Sequence, residues 1–333
     1  MIKEKTVFIL GAGASMPYGF PSARQLRKEI IDNYFNQLKD LFYTVDAKYR
    51  KEDMLILDLA KQLTVKFKDS GLYSIDNFLA RNSNYLDIGK MAIILFLLKA
   101  EANSNFNEFS HSPESDWYSY IYNKHLINEL ITPLDYKNFG KNNVEFITFN
   151  YDRSLEKYIY NSLLNSFEFA DNEKVVEQIS KINISHVYGS LGTLLDMHPQ
   201  AFKFDIKTIE FGKKIKSFFE LNNLINNIQL MIDDVNKEYF INIINKATRI
   251  FILGFGFDEM NLKKIDFFDA LKPEHKIYAT TKGLKKKFVE NLKTDIIKRV
   301  NDRYKEQKPN IIMTERNLFF EDANCLELLE TYL

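Results

Sequence analysis

Residues suited to bond-making chemistry cluster at three places in this sequence: Asn150 and Asp152 in TFNYD (148–152), His186 and Tyr188 in HVYGS (186–190), and the small-residue run GAGAS (11–15). A carboxylate and a carboxamide can orient a sugar and stabilise positive charge developing at carbon, and an imidazole with an ordinary pKa near ~6.5 can act as base. Gly11, Ala12, Gly13, Ala14 and Ser15 add almost no side-chain bulk, so a ligand can approach the main chain. Free N–H groups at the start of a helix then favour an anion, and phosphate is the natural one. Gly254, Phe255 and Gly256 in LGFGFD form a second stretch where backbone can touch a ligand. Each feature also has an ordinary structural reading: the turn as a bare strand-to-helix connection, Asn150 and Asp152 as helix caps, His186 as a core histidine.

Two familiar phosphate signatures are tested by the first run. The dehydrogenase fingerprint Gly-x-Gly-x-x-Gly would put its third glycine at Met16, and the acidic residue about 20 positions on falls at Asp32, inside a helical pattern. A P-loop requires Gly-Lys followed by Ser or Thr, and no such pair occurs near the turn.

The elements that must position these residues are short apolar runs, expected as buried strands at Thr6–Leu10, Val144–Phe149, Ile182–Tyr188, Arg249–Leu253 and Lys276–Thr280, with a sixth at Ile311–Thr314. Helical patterns lie between them, such as Leu26, Ile30, Tyr34, Leu38 and Leu41 at spacings of three and four. Strands alternating with helices predict an α/β fold: a Rossmann-like, doubly wound parallel sheet whose ligands bind beyond the carboxyl ends of the strands. Residues from about 45 to 135 and from about 190 to 245 read as helical insertions, the first as an embedded helical subdomain, within one domain spanning 1–333. Residues 103–116, NSNFNEFSHSPESD, read as an exposed loop.

Composition excludes several classes. With 45 Lys+Arg against 45 Asp+Glu, the chain has no global electrostatic footprint for nucleic acid. The lysines at 282 and 285–287 read as a solvated helix face. One cysteine, Cys325, rules out a disulfide framework or a Cys-rich zinc site, and the five histidines show no metal-binding spacing. Met91–Leu98 is the longest strongly apolar run, far below the ~18 residues of a membrane span, and the N-terminus lacks a cleavage site of signal-peptide type. A soluble, cytoplasmic protein is expected.

The order GAGAS, GFPSAR (19–24), TFNYD, HVYGS and LGFGFD resembles the sirtuin-like NAD-consuming enzymes, specifically their bacterial anti-phage branch, over residues 6 to about 281. Gly19, Pro21 and Arg24 match the second family motif while Ser22 and Ala23 do not, and Thr148, Asn150 and Asp152 match the third. The resemblance implies an NAD site: the Gly11–Ser15 turn cradles the pyrophosphate, Asn150 orients the nicotinamide ribose, Asp152 meets the carboxamide, and Gly254–Gly256 line the adenosine side. Pro21, Arg24, Thr148, Gly189 and Ser190 join the implied binding set. The implied activity is hydrolysis of NAD+ to nicotinamide and ADP-ribose, depleting NAD in abortive infection, with activation expected from a phage signal, from self-assembly into a homo-oligomer or from a partner such as an ATPase.

Two departures stand beside that likeness. The four-cysteine zinc module of protein deacylases cannot be built from one cysteine, which puts deacylation third. The family histidine directly precedes the glycine, where this chain has Tyr188; His186 lies two residues earlier, roughly 6–7 Å along the same strand face. Three readings stay open: His186 has taken over the role, Tyr188 works with it, or chemistry is impaired, the last giving a silent NAD or ADP-ribose sensor. Formation of a cyclised product is open too.

Overall fold

The computed structural model describes residues 1–43, 51–104, 115–194, 208–230, 233–307 and 310–333. Its strands are β1 (Thr6–Leu10), β2 (Val144–Thr148), β3 (Asn183–His186), β4 (Thr193–Leu194), β5 (Thr208–Ile209), β6 (Arg249–Leu253), β7 (Lys276–Thr280) and β8 (Leu318–Glu321). Six form one parallel sheet in the order β3-β2-β1-β6-β7-β8, and β4 pairs with β5 in a separate two-stranded ladder. The chain steps outward from β1 through β2 to β3, then returns to the other side of β1 for β6, β7 and β8. That reversal gives the Rossmann-like order and puts the topological switch point between β1 and β6.

All five residues of β1 are buried, as an apolar strand covered on both faces must be. Alternation sends Phe8 to one face, where it stacks on Phe146 and Phe251 at centroid separations of 5.1 and 5.2 Å. The row continues in register through Tyr278 and Phe319 at 4.6 and 4.8 Å. Helices α5 (Trp117–Ile121), α6 (Ser154–Ser166), α7 (Asn172–Ser180) and α13 (Cys325–Tyr332) contribute buried residues to the core on this face.

Val7, Ile9, Ile147 and Ile250 point the other way. They share one continuous buried cluster with α1 (Ala23–Tyr43), α2 (Lys51–Asp69), α3 (Ile75–Leu79) and α4 (Leu86–Ala102). The predicted stripe of α1, from Leu26 to Leu41, is buried throughout. Helices α8 (Phe218–Asn222), α9 (Lys237–Asn245), α10 (Glu259–Lys264), α11 (Phe267–Ala270) and α12 (Lys286–Tyr304) complete the described elements.

Several boundaries differ from those expected. β2 stops at Thr148, and β3 runs only from Asn183 to His186. The sixth sheet strand is Leu318–Glu321, not Ile311–Thr314, because Leu318 and Phe320 alternate inward against β7 whereas Ile311 and Ile312 are 43% and 60% exposed. The segment from 190 to 245, expected to be helical, contains β4 and β5 besides α8 and α9. Residues 105–114 of the expected exposed loop lie outside the described residues. Among the described residues no helix is long and apolar enough to cross a membrane.

One buried ion pair ties these layers together. Arg153, at the N-terminus of α6, meets Glu101 of α4 through Nε–Oε1 at 2.9 Å and Nη2–Oε2 at 2.6 Å. Its other N–H groups donate to the carbonyls of Gly192, Ile209 and Glu210, so the whole guanidinium is satisfied. Without those partners a buried charge would be strongly unfavourable.

Candidate functional site

The two glycine-bearing turns meet at the switch point. The Gly11 amide donates to the Leu253 carbonyl and the Gly13 amide to the Gly254 carbonyl, both at 2.9 Å. A Cβ on Gly11 would lie 2.6 Å from the Gly254 oxygen, and one on Gly13 would lie 2.8 Å from Gly254 Cα. Gly254 has φ +58°, and a Cβ there would fall 2.6 Å from Gly13 Cα and nearer still to the Ala14 nitrogen. Gly11, Gly13 and Gly254 are therefore required by the contact of one turn with the other. Gly256 differs, since a Cβ there would meet nothing within 4 Å. The amides of Ala12, Phe255 and Gly256 carry no hydrogen bond among the described residues. Ala12 opens a short 3-10 turn, so its amide is one of the free donors of a helix start.

These amides border a cavity of about 550 Å³. Its polar floor is a chain of hydrogen bonds built by the residue after β1's turn and those after β2. Asn150 Nδ2 donates to the Gly11 carbonyl and to Ser15 Oγ, each at 3.0 Å. A carbonyl can only accept, so the carboxamide is fixed with its nitrogen toward the turn and its oxygen free for a ligand. Ser15 Oγ donates to Asp152 Oδ2 at 2.8 Å, and the Ser154 hydroxyl and amide both donate to Oδ1. Burial raises the Asp152 carboxyl above its ordinary range, while the serine donors oppose that shift. Behind the floor, Tyr118 shares a 2.7 Å hydrogen bond with Ser154, and Trp117 Nε1 donates to the Ala14 carbonyl at 2.8 Å.

A second polar wall comes from the chain between α2 and α3. Ser74 caps α3, accepting from the Asp76 amide at 3.1 Å. Asp76 lies deep among protein atoms yet keeps part of its surface open to the cavity. Its carboxylate accepts from the Tyr151 hydroxyl at 2.6 Å and from Ser74 Oγ at 3.2 Å. Burial raises its pKa and these donors work against the rise. Tyr188 donates to Asn261 Oδ1 at 2.5 Å, and burial raises its phenol above the ordinary value. That makes it a poor base.

His186 lies outside the cavity lining, bonded to the main chain of Asn150 and to α6. Its Nδ1 donates to the Asn150 carbonyl at 2.7 Å and its Nε2 faces Glu156 Oε1 at 2.5 Å. Burial disfavours the imidazolium, but the Glu156 charge, its hydrogen bond and the Asn150 carbonyl outweigh that and raise the pKa.

Of the residues singled out from sequence, Gly11, Ala12, Ser15, Pro21, Asn150, Asp152, Tyr188, Gly254, Phe255 and Gly256 converge on the cavity. Gly13, Ala14, Arg24, Thr148, His186, Gly189 and Ser190 are not part of its lining. Thr148 Oγ1 accepts from the Asn150 amide at 3.0 Å, and Gly189, at φ +67°, packs against the Asn227 carbonyl. Arg24 is exposed and holds its guanidinium 4.7 Å from the centre of the Tyr73 ring, which does line the cavity. Sequence reasoning missed Tyr73, Ser74, Asp76, Tyr151, Asp258 and Asn261. Tyr151 and Asp258 lay inside the quoted TFNYD and LGFGFD stretches, whereas Ser74–Asp76 has the form of an ordinary helix cap.

No protein-family model matches the chain, and comparison with curated proteins returns no match.

Proposed function

We propose that this chain is a sirtuin-like NAD+ hydrolase that cleaves the nicotinamide–ribose bond to release nicotinamide and ADP-ribose. The observation that carries the reading is the cavity at the β1/β6 switch point, where the Asn150–Ser15–Asp152 chain adjoins the unpaired Ala12, Phe255 and Gly256 amides. Those amides would receive the diphosphate, and the free Asn150 oxygen would accept from a ribose hydroxyl. In the reaction, the C1′–N bond breaks and its electron pair neutralises the pyridinium nitrogen. Water then bonds to C1′, and its proton passes to Asp152, whose carboxyl is held above the ordinary range by burial and so is a better proton acceptor when ionised. His186 acts on the Asn150 carbonyl and so positions the carboxamide. The anti-phage role, the cytoplasmic location and control by self-assembly or an ATPase partner belong to the same proposal.

A second reading, a silent NAD or ADP-ribose sensor, is favoured by His186 having both ring nitrogens engaged and lying outside the cavity lining. Nicotinamide release by wild type and by Asn150→Ala separates the two. Hydrolysis predicts that the variant keeps ADP-ribose binding but loses ~100-fold or more in turnover. Wild type that binds ADP-ribose and releases no nicotinamide makes the chain a sensor.

A further inference from the structure

Asp76 stands out because of what surrounds it. Among the described residues, none that lines the cavity is Lys, Arg or His, whereas three are aspartates: Asp76, Asp152 and Asp258. Asp258 is exposed and uses Oδ1 to cap α10. Asp152 is bound by three donors from Ser15 and Ser154. Among the described residues, Asp76 receives the hydroxyls of Tyr151 and Ser74 and its own backbone amide, all neutral, so its charge is supported but not balanced. It also approaches from the opposite wall, on α3 rather than on the sheet.

We propose that Asp76 is a specificity-determining residue that makes this cavity select a dinucleotide with a cationic nicotinamide ring over its neutral, reduced counterpart. The inference rests on the reading of the cavity as an NAD site and names the feature of the ligand that it selects. A carboxylate in a cavity whose lining carries no cation attracts a positive ring more strongly than it would in bulk water, because protein atoms displace part of the screening solvent. The neutral dihydronicotinamide receives no such term, and the diphosphate at the amide turn is common to both ligands. Burial raises the Asp76 pKa, and an arriving cation opposes that rise. The same charge favours the oxocarbenium-like state that follows bond cleavage.

The test is calorimetric binding of three ligands to wild type and to Asp76→Asn: carba-NAD+, whose carbocycle resists hydrolysis, NADH, and ADP-ribose, which lacks the nicotinamide. Wild type is expected to bind carba-NAD+ at least about tenfold tighter than NADH. Asp76→Asn should bring the two within about threefold while leaving ADP-ribose affinity unchanged. Tyr151→Phe, which removes a donor and keeps the charge, should retain the preference; its loss there would mean that the wall's shape, not its charge, selects. An unchanged preference in Asp76→Asn overturns the proposal and leaves the NAD reading standing. Wild type that binds ADP-ribose equally well but shows no preference does the same, and wild type that binds none of the three overturns both.

Discussion

Replacing Gly254 and, separately, Gly256 with alanine makes the same chemical change twice in one loop and should give very different results. At Gly254 the backbone has φ +58°, and a left-handed conformation costs a residue with a Cβ about 1–2 kcal/mol. The added carbon would also lie 2.6 Å from Gly13 Cα and closer to the Ala14 nitrogen, both of them backbone. Neither can rotate aside, so an overpacking term of about 1–3 kcal/mol adds to the first. The expected loss for Gly254→Ala is therefore about 2–5 kcal/mol, with separation of the turns that carry the Ala12 and Phe255 amides. At Gly256 the new carbon meets nothing within 4 Å, and the loss should stay within about 0.5 kcal/mol. Urea unfolding followed by circular dichroism reads both. Equal midpoints for the two variants, or a larger loss at Gly256, would refute the argument that the turns hold each other.

Two further outcomes concern single titrating groups. Burial lowers His275 to about 4, so as pH falls below ~6.5 the unfolded chain takes up the proton first and stability is lost down to about pH 4. About 2.5 pH units correspond to about 3 kcal/mol, and His275→Asn, whose side-chain oxygen can still accept from the Lys272 amide as Nδ1 does, should flatten the stability profile by that amount; an unchanged profile counts against it. Burial pushes the Cys325 thiol up to about 12, so this sole cysteine should resist a disulfide reagent at pH 8 and react fully in denaturant, and rapid labelling of folded protein would contradict its place in the α13 core.

How much was legible follows from where each signal resides. β1, β6 and β7 were readable because a strand covered on both faces needs an apolar run, and each has one, Val7–Leu10, Ile250–Leu253 and Ile277–Ala279. β8 was not: as an edge strand with a single neighbour it needs only Leu318 and Phe320 turned inward, and the more apolar Ile311–Met313 drew the assignment away. The glycines were visible, but the partner that demands them was not. Gly11 and Gly254 lie far apart in the chain, so sequence suggested clearance for a ligand where the fold uses it for a second turn. Asp76 was illegible for a related reason. Its local pattern is that of a helix cap, and only packing of α3 against the loop after β2 brings it to Tyr151. His186 was visible as a residue, but its partners Glu156 and the Asn150 carbonyl are fixed by tertiary structure alone.

The Arg153–Glu101 pair also sets the mechanics of the cavity. Arg153 directly follows Asp152, and its guanidinium fastens the end of α4 to the carbonyls of Gly192, Ile209 and Glu210. Swinging the β4–β5 ladder away from α4 would leave the cation paired with Glu101 but take away its three carbonyl acceptors, at about 1.5–3 kcal/mol for each hydrogen bond to the charge. One side chain, directly after Asp152 of the cavity floor, thus ties the end of α4, the start of α6 and the β4–β5 ladder to one another. The opposite rim, at Gly71–Ser74, is held by another guanidinium, since Arg27 donates to the Leu72, Phe67 and Lys68 carbonyls at 2.7, 3.3 and 3.0 Å, while Gly71 itself is exposed, has φ +67° and has free space around it.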